Sequence, residues 1–312
     1  MGLAIKEAQD FFDLNVPILM MNYLATERAM WQNIAGQMET ERYNSEMSML
    51  SGLSMASQTP LYDGPGELKP VQGYEVSQTQ KKWSFDVTLP EATYRFANNG
   101  PEMISTFEAS GGGAAMARPI NLRIDNLVAA HYISAESTTG PDAVYYASAS
   151  HPRPNSSSVW SNLYSGGLTQ SNLLALMAQI DDCPDLVGEP AELLANHTFK
   201  LLVSPTKRAA ANVILKTMAK PGTPNNDINA VQESPGLSMD PLVWTRLSTS
   251  FDGSDANDAW LVVPGMASKV VWNSRPQFKS IRTRNDDLIF TGKAWFDVIF
   301  AEPRGLWMLN DS

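Results

Sequence analysis

Asp142, Ser150 and His151 fall within ten residues of one another and carry the side-chain types of an acyl-transfer site. In such a site an imidazole removes the serine proton and a carboxylate orients the imidazole. The arrangement is defined in space, so closeness along the chain does not establish it. His151 also precedes Pro152 in "SASHPRPN", which confines its backbone to extended or turn conformations. The chain has no G-x-S-x-G nucleophile elbow, no G-x-x-x-x-G-K-S/T phosphate loop and no H-E-x-x-H zinc motif. The glycine-rich "SGGGAAMA" lacks the lysine of a phosphate loop and suits flexibility or close packing at a helix start.

Other reactive side chains are few. Three histidines (His131, His151 and His197) and one cysteine, Cys183, are spread over 312 residues. A single thiol permits no intramolecular disulfide and no cysteine cluster for zinc. His131 falls on an apolar helical face, where a hydrogen-bonded core histidine is expected. No catalytic, cofactor-binding or metal-ligating residue is assigned from these patterns.

The chain carries a formal charge of −10, with ordinary globular composition at 43% hydrophobic and 18% charged residues. That balance argues against tight, general nucleic-acid affinity, which normally needs a basic face. One segment runs the other way. Lys269, Arg275, Lys279, Arg282 and Arg284 fall within sixteen residues that contain no acid. Such a run can pair with acids of its own chain, with acids of a neighbouring subunit, or with phosphates. Its five cations are candidate subunit-interface residues.

The elements that would position these groups are mixed. The N-terminal stretch lacks the basic start of a signal peptide, and Pro17 and Asn22 break its apolar run. No window reaches the roughly 20 apolar residues that span a bilayer. A soluble protein made in a cytoplasm is the expectation. Over residues 1–45 the spacing of Leu24, Met30, Trp31, Ile34 and Met38 predicts a mostly helical arm. A Gly/Pro/Ser/Met-rich approach follows. Then Trp83, Phe85 and Val87 alternate with Ser84, Asp86 and Thr88, the period of a strand. With a second extended run at 93–96, this predicts a two-stranded excursion over 46–97. An isolated hairpin is marginal in water, so the excursion needs a surface to lie on, and Trp83, Phe85 and Val87 are candidate subunit-interface residues.

A helix is expected over about 102–136, with Ile120, Ile124, Leu127, Val128 and His131 on one face and Pro119 at a first turn or a kink. "GGLTQSNLLALMAQIDD" predicts a helix capped by Thr169, with a stripe of Leu173, Met177 and Ile180. "FKLLVSPTKRAAANVILKTM" predicts a strand at 200–203, a Ser204–Pro205 helix start, and a helix with Ala210, Val213, Ile214 and Met218 facing one way. The last third reads as strands: "AWLVVPG", "SKVVWN", "QFKSIRTR", "LIFTGKAWFDVIFAEP" and "GLWML". Helices and strands are mixed without strict alternation, so the fold class is α+β.

Several segments together resemble major capsid proteins of tailed phages, closest to the major head subunits of Mu-like phages and prophages. "YYASASHPRPNSSSVWSNLYSGGLTQSNLLALMAQIDD" resembles the family passage in which an "HP" stretch leads through "WSNL" into a helix. "FKLLVSPTKRAAANVILKTMAKPGTPNNDINAV" resembles the strand, turn, helix and asparagine-rich loop that follow it. "LSMDPLV", "DAWLVVP" and "FDVIFAEPRGLW" resemble the remaining landmarks in order.

The resemblance implies the Hong Kong 97-type capsid fold. It implies an N-terminal arm (1–45), an extended loop (46–97), an axial domain (160–265), and a peripheral domain in two parts (98–159 and 266–312). It implies self-association in hexamers and pentamers, portal and scaffold partners, optional decoration proteins, double-stranded DNA inside the shell and no membrane partner. It places the protein in the virion, after assembly in a bacterial host cytoplasm. The short arm leads to the expectation of a separate scaffold protein or none. On this reading His151 marks a structural loop. The alternatives carried forward are an encapsulin-like compartment shell and, from another class, a serine hydrolase.

Overall fold

The computed structural model describes residues 29–50, 72–89, 112–153, 157–218, 228–232, 234–251, 257–283, 285 and 287–311. The described chain begins with a single 3-10 turn, Met30–Asn33, followed by strand β1 (Gly36–Glu39). Trp31 and Ile34 are buried, but the helix expected across this stretch does not form. A glycine interior to a helix is costly, and here it has another use. A Cβ on Gly36 would lie 2.8 Å from the Gly265 carbonyl oxygen, so only glycine lets the two backbones meet. The Gly265 N–H donates to the Ile34 carbonyl at 2.7 Å, and β1 then runs alongside a distant strand.

Strands β2 (Asn44–Leu50) and β3 (Gln72–Thr79) pair antiparallel as a hairpin, and β4 (Lys81–Leu89) follows. Helix α1 (Gly112–Ile133) buries Ile120, Ile124 and Val128, as its spacing predicts. Pro119 sits inside the helix rather than in its first turn, so one backbone hydrogen bond is missing there. Next come β5 (His151–Pro152), β6 (Val159–Trp160), β7 (Leu163–Ser165) and α2 (Gln170–Asp181). The Thr169 side chain caps α2 by accepting from the Asn172 N–H, and Leu173, Leu176, Met177 and Ile180 are buried.

Short helix α3 (Leu193–Asn196) leads to β8 (Lys200–Val203) and α4 (Arg208–Lys216). Pro205 opens a 3-10 turn before α4, with Ser204 in the capping position but making no capping bond. The buried stripe of α4 is Ala211, Ile214 and Leu215, one residue away from the expected one, and Val213 and Met218 face solvent. The chain ends with β9 (Leu242–Val243), β10 (Ala259–Val262), β11 (Ser268–Arg282), β12 (Leu288–Phe300) and β13 (Leu306–Asn310). The two runs expected at "SKVVWN" and "QFKSIRTR" are one strand. Register shifts between Trp272 and Gln277 absorb Pro276, which has no N–H to give the ladder.

Two sheets organise the molecule. The first has the order β1-β11-β12-β4 and the second β7-β13-β10-β8-β9. Strand β4 pairs antiparallel with β12, from Leu288↔Leu89 to Phe296↔Lys81. The expected partner of β4, the run at 93–96, lies outside the described residues. One core joins α1 to the inner face of the first sheet (Val270, Trp272, Ala294, Phe296) and to one face of the second (Leu202, Trp260, Val262, Met308). Another joins α2 and α4 to the opposite face of the second sheet (Leu201, Leu261, Trp307, Leu309). That sheet is covered on both sides, which is why "AWLVV" is apolar without alternation. A small third cluster seats the hairpin, with Met47 and Val76 against Val271 and Ile299.

Candidate functional site

The residues that open the sequence reading do meet, but not as an acyl-transfer site. The loop after α1 turns back through an isolated bridge between Thr139 and Tyr145, which carries Asp142 under β5. His151 is completely buried and its ring stacks on Trp160 at 4.5 Å. Its Nδ1 lies 2.5 Å from Asp142 Oδ2, and its Nε2 lies 2.9 Å from Asn162 Oδ1.

The orientation of Asn162 fixes the protons. Its Nδ2 faces the carbonyls of Tyr146 at 2.7 Å and Leu306 at 3.0 Å, so it must be the NH₂ end. Its Oδ1 accepts from the Ser148 N–H at 2.8 Å and can only accept from His151. Nε2 therefore carries a hydrogen and donates to Asn162, while Nδ1 shares a short hydrogen bond with the Asp142 carboxyl group.

This arrangement cannot activate a nucleophile. Among the described residues no serine faces Nε2, and Ser150 is exposed, with its Oγ 3.5 Å from Ser148 Oγ. What the cluster does is tie three segments together. Asn162 reaches the C-terminal strand through Leu306, and the Tyr74 hydroxyl of the hairpin donates to the Pro152 carbonyl next to His151. Asn162 was not singled out by sequence reasoning. Its only signal is a polar residue set between Trp160 and Leu163 in "VWSNLY".

The other candidates are equally settled in role. His131 Nδ1 is 2.8 Å from Ser268 Oγ, and its ring meets Tyr146 and Phe300 edge-on. Loss of solvent lowers its pKa to about 4, so it is neutral. Burial pushes the Cys183 thiol up to about 12, which removes its nucleophilic form. His197 is exposed at the end of α3. Among the described residues no group of three or more His, Cys, Asp or Glu side chains could hold a metal ion.

The candidate interface residues divide. Trp83 and Phe85 are packed inside their own subunit. Trp83 donates from Nε1 to the Phe296 carbonyl at 3.1 Å, and the Arg123 guanidinium stacks over its ring at 4.1 Å. Phe85 meets Phe278 edge-on at 6.3 Å. Gly292 makes room for that pair, since a Cβ there would lie 2.5 Å from the Phe85 ring. Val87, two residues on, is exposed.

In the basic run, Arg275 is held by Glu39 of β1 at 2.8 Å, by Gln37 at 2.9 Å, and over the Trp272 ring at 5.0 Å. Lys279 is exposed and Lys269 half-buried, and neither makes an ion pair among the described residues. Arg282 pairs in backbone register with Leu288 at the far end of the ribbon. Arg284 lies outside the described residues.

With this geometry in place, comparisons decide the family. The profile of the phage capsid protein family matches residues 111–309, from the start of α1 to the end of β13. The chain belongs to the phage capsid protein family. No curated protein matches it. Among solved structures, the mature capsid of bacteriophage PhiM1 is similar at TM-score 0.54 and 12% identity, covering 92% of this chain and 88% of that one. The capsid of the native GTA particle gives 0.53 at 12% identity, with 91% of each chain covered. The capsid of cyanophage P-SCSP1u gives 0.53 at 11% identity, with 91% and 88% covered.

At such identities the likeness is one of fold, and it is the mixed α+β, Hong Kong 97-type fold that the sequence resemblance implied. The capsid protein is thus a structural, shell-forming subunit of a virion. No helix among its described residues is long and apolar enough to cross a membrane.

Proposed function

We propose that many copies of this capsid protein close into an icosahedral head of hexamers and pentamers around the double-stranded DNA of a tailed phage. The observation that carries the reading is the family match over 111–309, which takes in the second sheet, two strands of the first and all four described α-helices. Its role is architectural and needs no catalytic step, since the one histidine–carboxylate pair is spent on holding the loop after α1. Assembly takes place in the host cytoplasm, with a portal and a scaffold, and with decoration proteins where the shell carries them. The Mu-like major head subunits are the branch that its sequence resembles.

The division into arm (1–45), extended loop (46–97), peripheral domain (98–159 and 266–312) and axial domain (160–265) is proposed with it. The second sheet supports an axial unit built on β7, β8, β9 and β10, to which β13 returns from the end of the chain. Contacts between subunits draw on Val87, on the remaining exposed edges of Trp83 and Phe85, and on Lys269, Lys279, Arg282 and Arg284. Arg275 contributes less, because Glu39 of its own chain already occupies it.

Electron microscopy of the expressed, purified protein tests the reading. Closed or tubular particles are the expected result. A sharp monomer boundary in sedimentation at high concentration, with and without scaffold, would overturn it. Particles filled with an enzyme rather than DNA would assign the shell to an encapsulin-like compartment.

A further inference from the structure

A cavity of about 280 Å³ opens beside α1. Arg123, Asn126, Ala130 and Ile133 of the helix form one wall, and Arg246 and Phe251 form the other. Among the described residues no carboxylate lines it. The one acid within the helix, Asp125, is buried and accepts from the Trp31 N–H at 2.9 Å. Arg123 and Arg246 thus line one concavity of a chain whose formal charge is −10, with no ion-pair partner among the described residues.

The stacking of Arg123 sharpens the geometry. Its guanidinium lies over Trp83 at 4.1 Å, so the ring takes up one flat face of the cation. The N–H donors lie in the guanidinium plane and stay free for an in-plane acceptor. Phe251 is exposed, and with Ala130 and Ile133 it gives the pocket apolar walls. A cleft of one charge sign with low-dielectric walls concentrates its field on the opening. Planar paired donors of this kind fit phosphate oxygens.

We propose that Arg123 and Arg246 form a phosphate-binding pocket, and that its ligand is the backbone of duplex DNA inside the shell. The proposal rests on the reading of this protein as the shell around DNA. It assigns this face of α1 to the genome and separates it from the Lys269–Arg284 run. The contact reads no bases. It is weak and salt-sensitive, which suits a wall that must hold a genome and later release it.

The test measures binding of a short mixed-sequence DNA duplex to purified shells, or to subunits, over a range of salt. Wild type is compared with an Arg123→Gln, Arg246→Gln variant. Each lost phosphate contact lowers the slope of log K against log salt by about 0.9, so the double variant should lose about 2 from that slope. Arg123→Lys, Arg246→Lys should keep most of it. Arg246→Gln alone leaves the Arg123–Trp83 stack intact and should lose about 0.9, which keeps the test valid if the double variant does not fold.

An unchanged slope in a variant with native circular dichroism overturns the proposal. So does loss of shells with duplex binding retained, because the pocket would then be a contact between subunits. Wild-type subunits that bind duplex with the predicted slope but never assemble would sink the shell reading and leave the pocket standing.

Discussion

The Asp142–His151 pair and the Glu39–Arg275 pair each join a basic side chain to a carboxyl group at short range, 2.5 Å in one and 2.8 Å in the other. Their surroundings are opposite. Both side chains of the first are fully buried, while those of the second are 68% and 48% exposed. In water such a pair is worth about 0–1 kcal/mol, because solvent and salt already screen it. In the interior water cannot replace a lost partner, so removing one member strands the other. The same chemistry therefore fixes the fold at one place and merely trims it at the other.

The largest expected effect follows from the buried pair. His151→Ala leaves the Asp142 carboxyl group without its buried partner and Asn162 Oδ1 without one donor. Unfolding of the subunit in urea should show a loss of about 3–5 kcal/mol. Shell formation should then fail through instability of the subunit, most clearly on warming. A loss below about 1 kcal/mol would put the buried pair in the same class as an exposed one and break the comparison.

The next effect is smaller and depends on pH. His131 is a half-buried histidine with no carboxylate among its described contacts, only Ser268, Tyr146 and Phe300. Its pKa falls from 6.5 to about 4 in the folded chain. Between those values the unfolded chain takes up a proton that the folded chain refuses, so stability drops as pH falls through that window. The drop ends below about 4, where both states carry the proton. His131→Gln should remove this component. Urea midpoints compared at about pH 7 and about pH 5 should therefore differ less in the variant than in wild type. An equal acid shift in both would assign the sensitivity to other groups.

Local elements were legible in the sequence and long-range ones were not, and the reasons are physical. The Thr169 cap and the strand over Lys200–Val203 depend on neighbours a few residues away, and both form as the pattern predicts. The α4 stripe is displaced by one residue, with Val213 exposed, although Arg208, Asn212 and Lys216 give "RAAANVILK" a distinct polar side. Contact with the second sheet chooses Ala211, Ile214 and Leu215. The stretch from Met30 to Met38 has helical spacing, but β1 is made by parallel pairing of Gly36–Glu39 with Lys269–Trp272, a partner no local window contains. At the buried cluster, Asp142 and His151 were legible as a pair by type and proximity. The residue that decides their chemistry, Asn162, was not, because its meaning lies in the carbonyls it faces.

The smallest expected effect separates the members of the basic run. Arg275 is engaged by Glu39, Gln37 and Trp272 of its own subunit, so reversing its charge mainly disturbs the seat of β1. A double-mutant cycle on Glu39 and Arg275 should give a coupling of no more than about 1 kcal/mol. Lys279 lies on the same strand, exposed and without an ion pair among the described residues, so its charge is available to a neighbouring subunit. Contacts that steer and register subunits are made by such rim charges, and each is weak alone but repeated around every copy. Lys279→Glu should therefore lower the yield of empty shells more than Arg275→Glu does, while changing subunit stability less. Raising salt should restore part of that yield, since the Debye length shrinks to about 3 Å near 1 M and screens the new repulsion. If Arg275→Glu proves the more damaging to assembly at equal subunit stability, the exposed pair with Glu39 opens on contact with a neighbour, and Arg275 belongs to the interface after all.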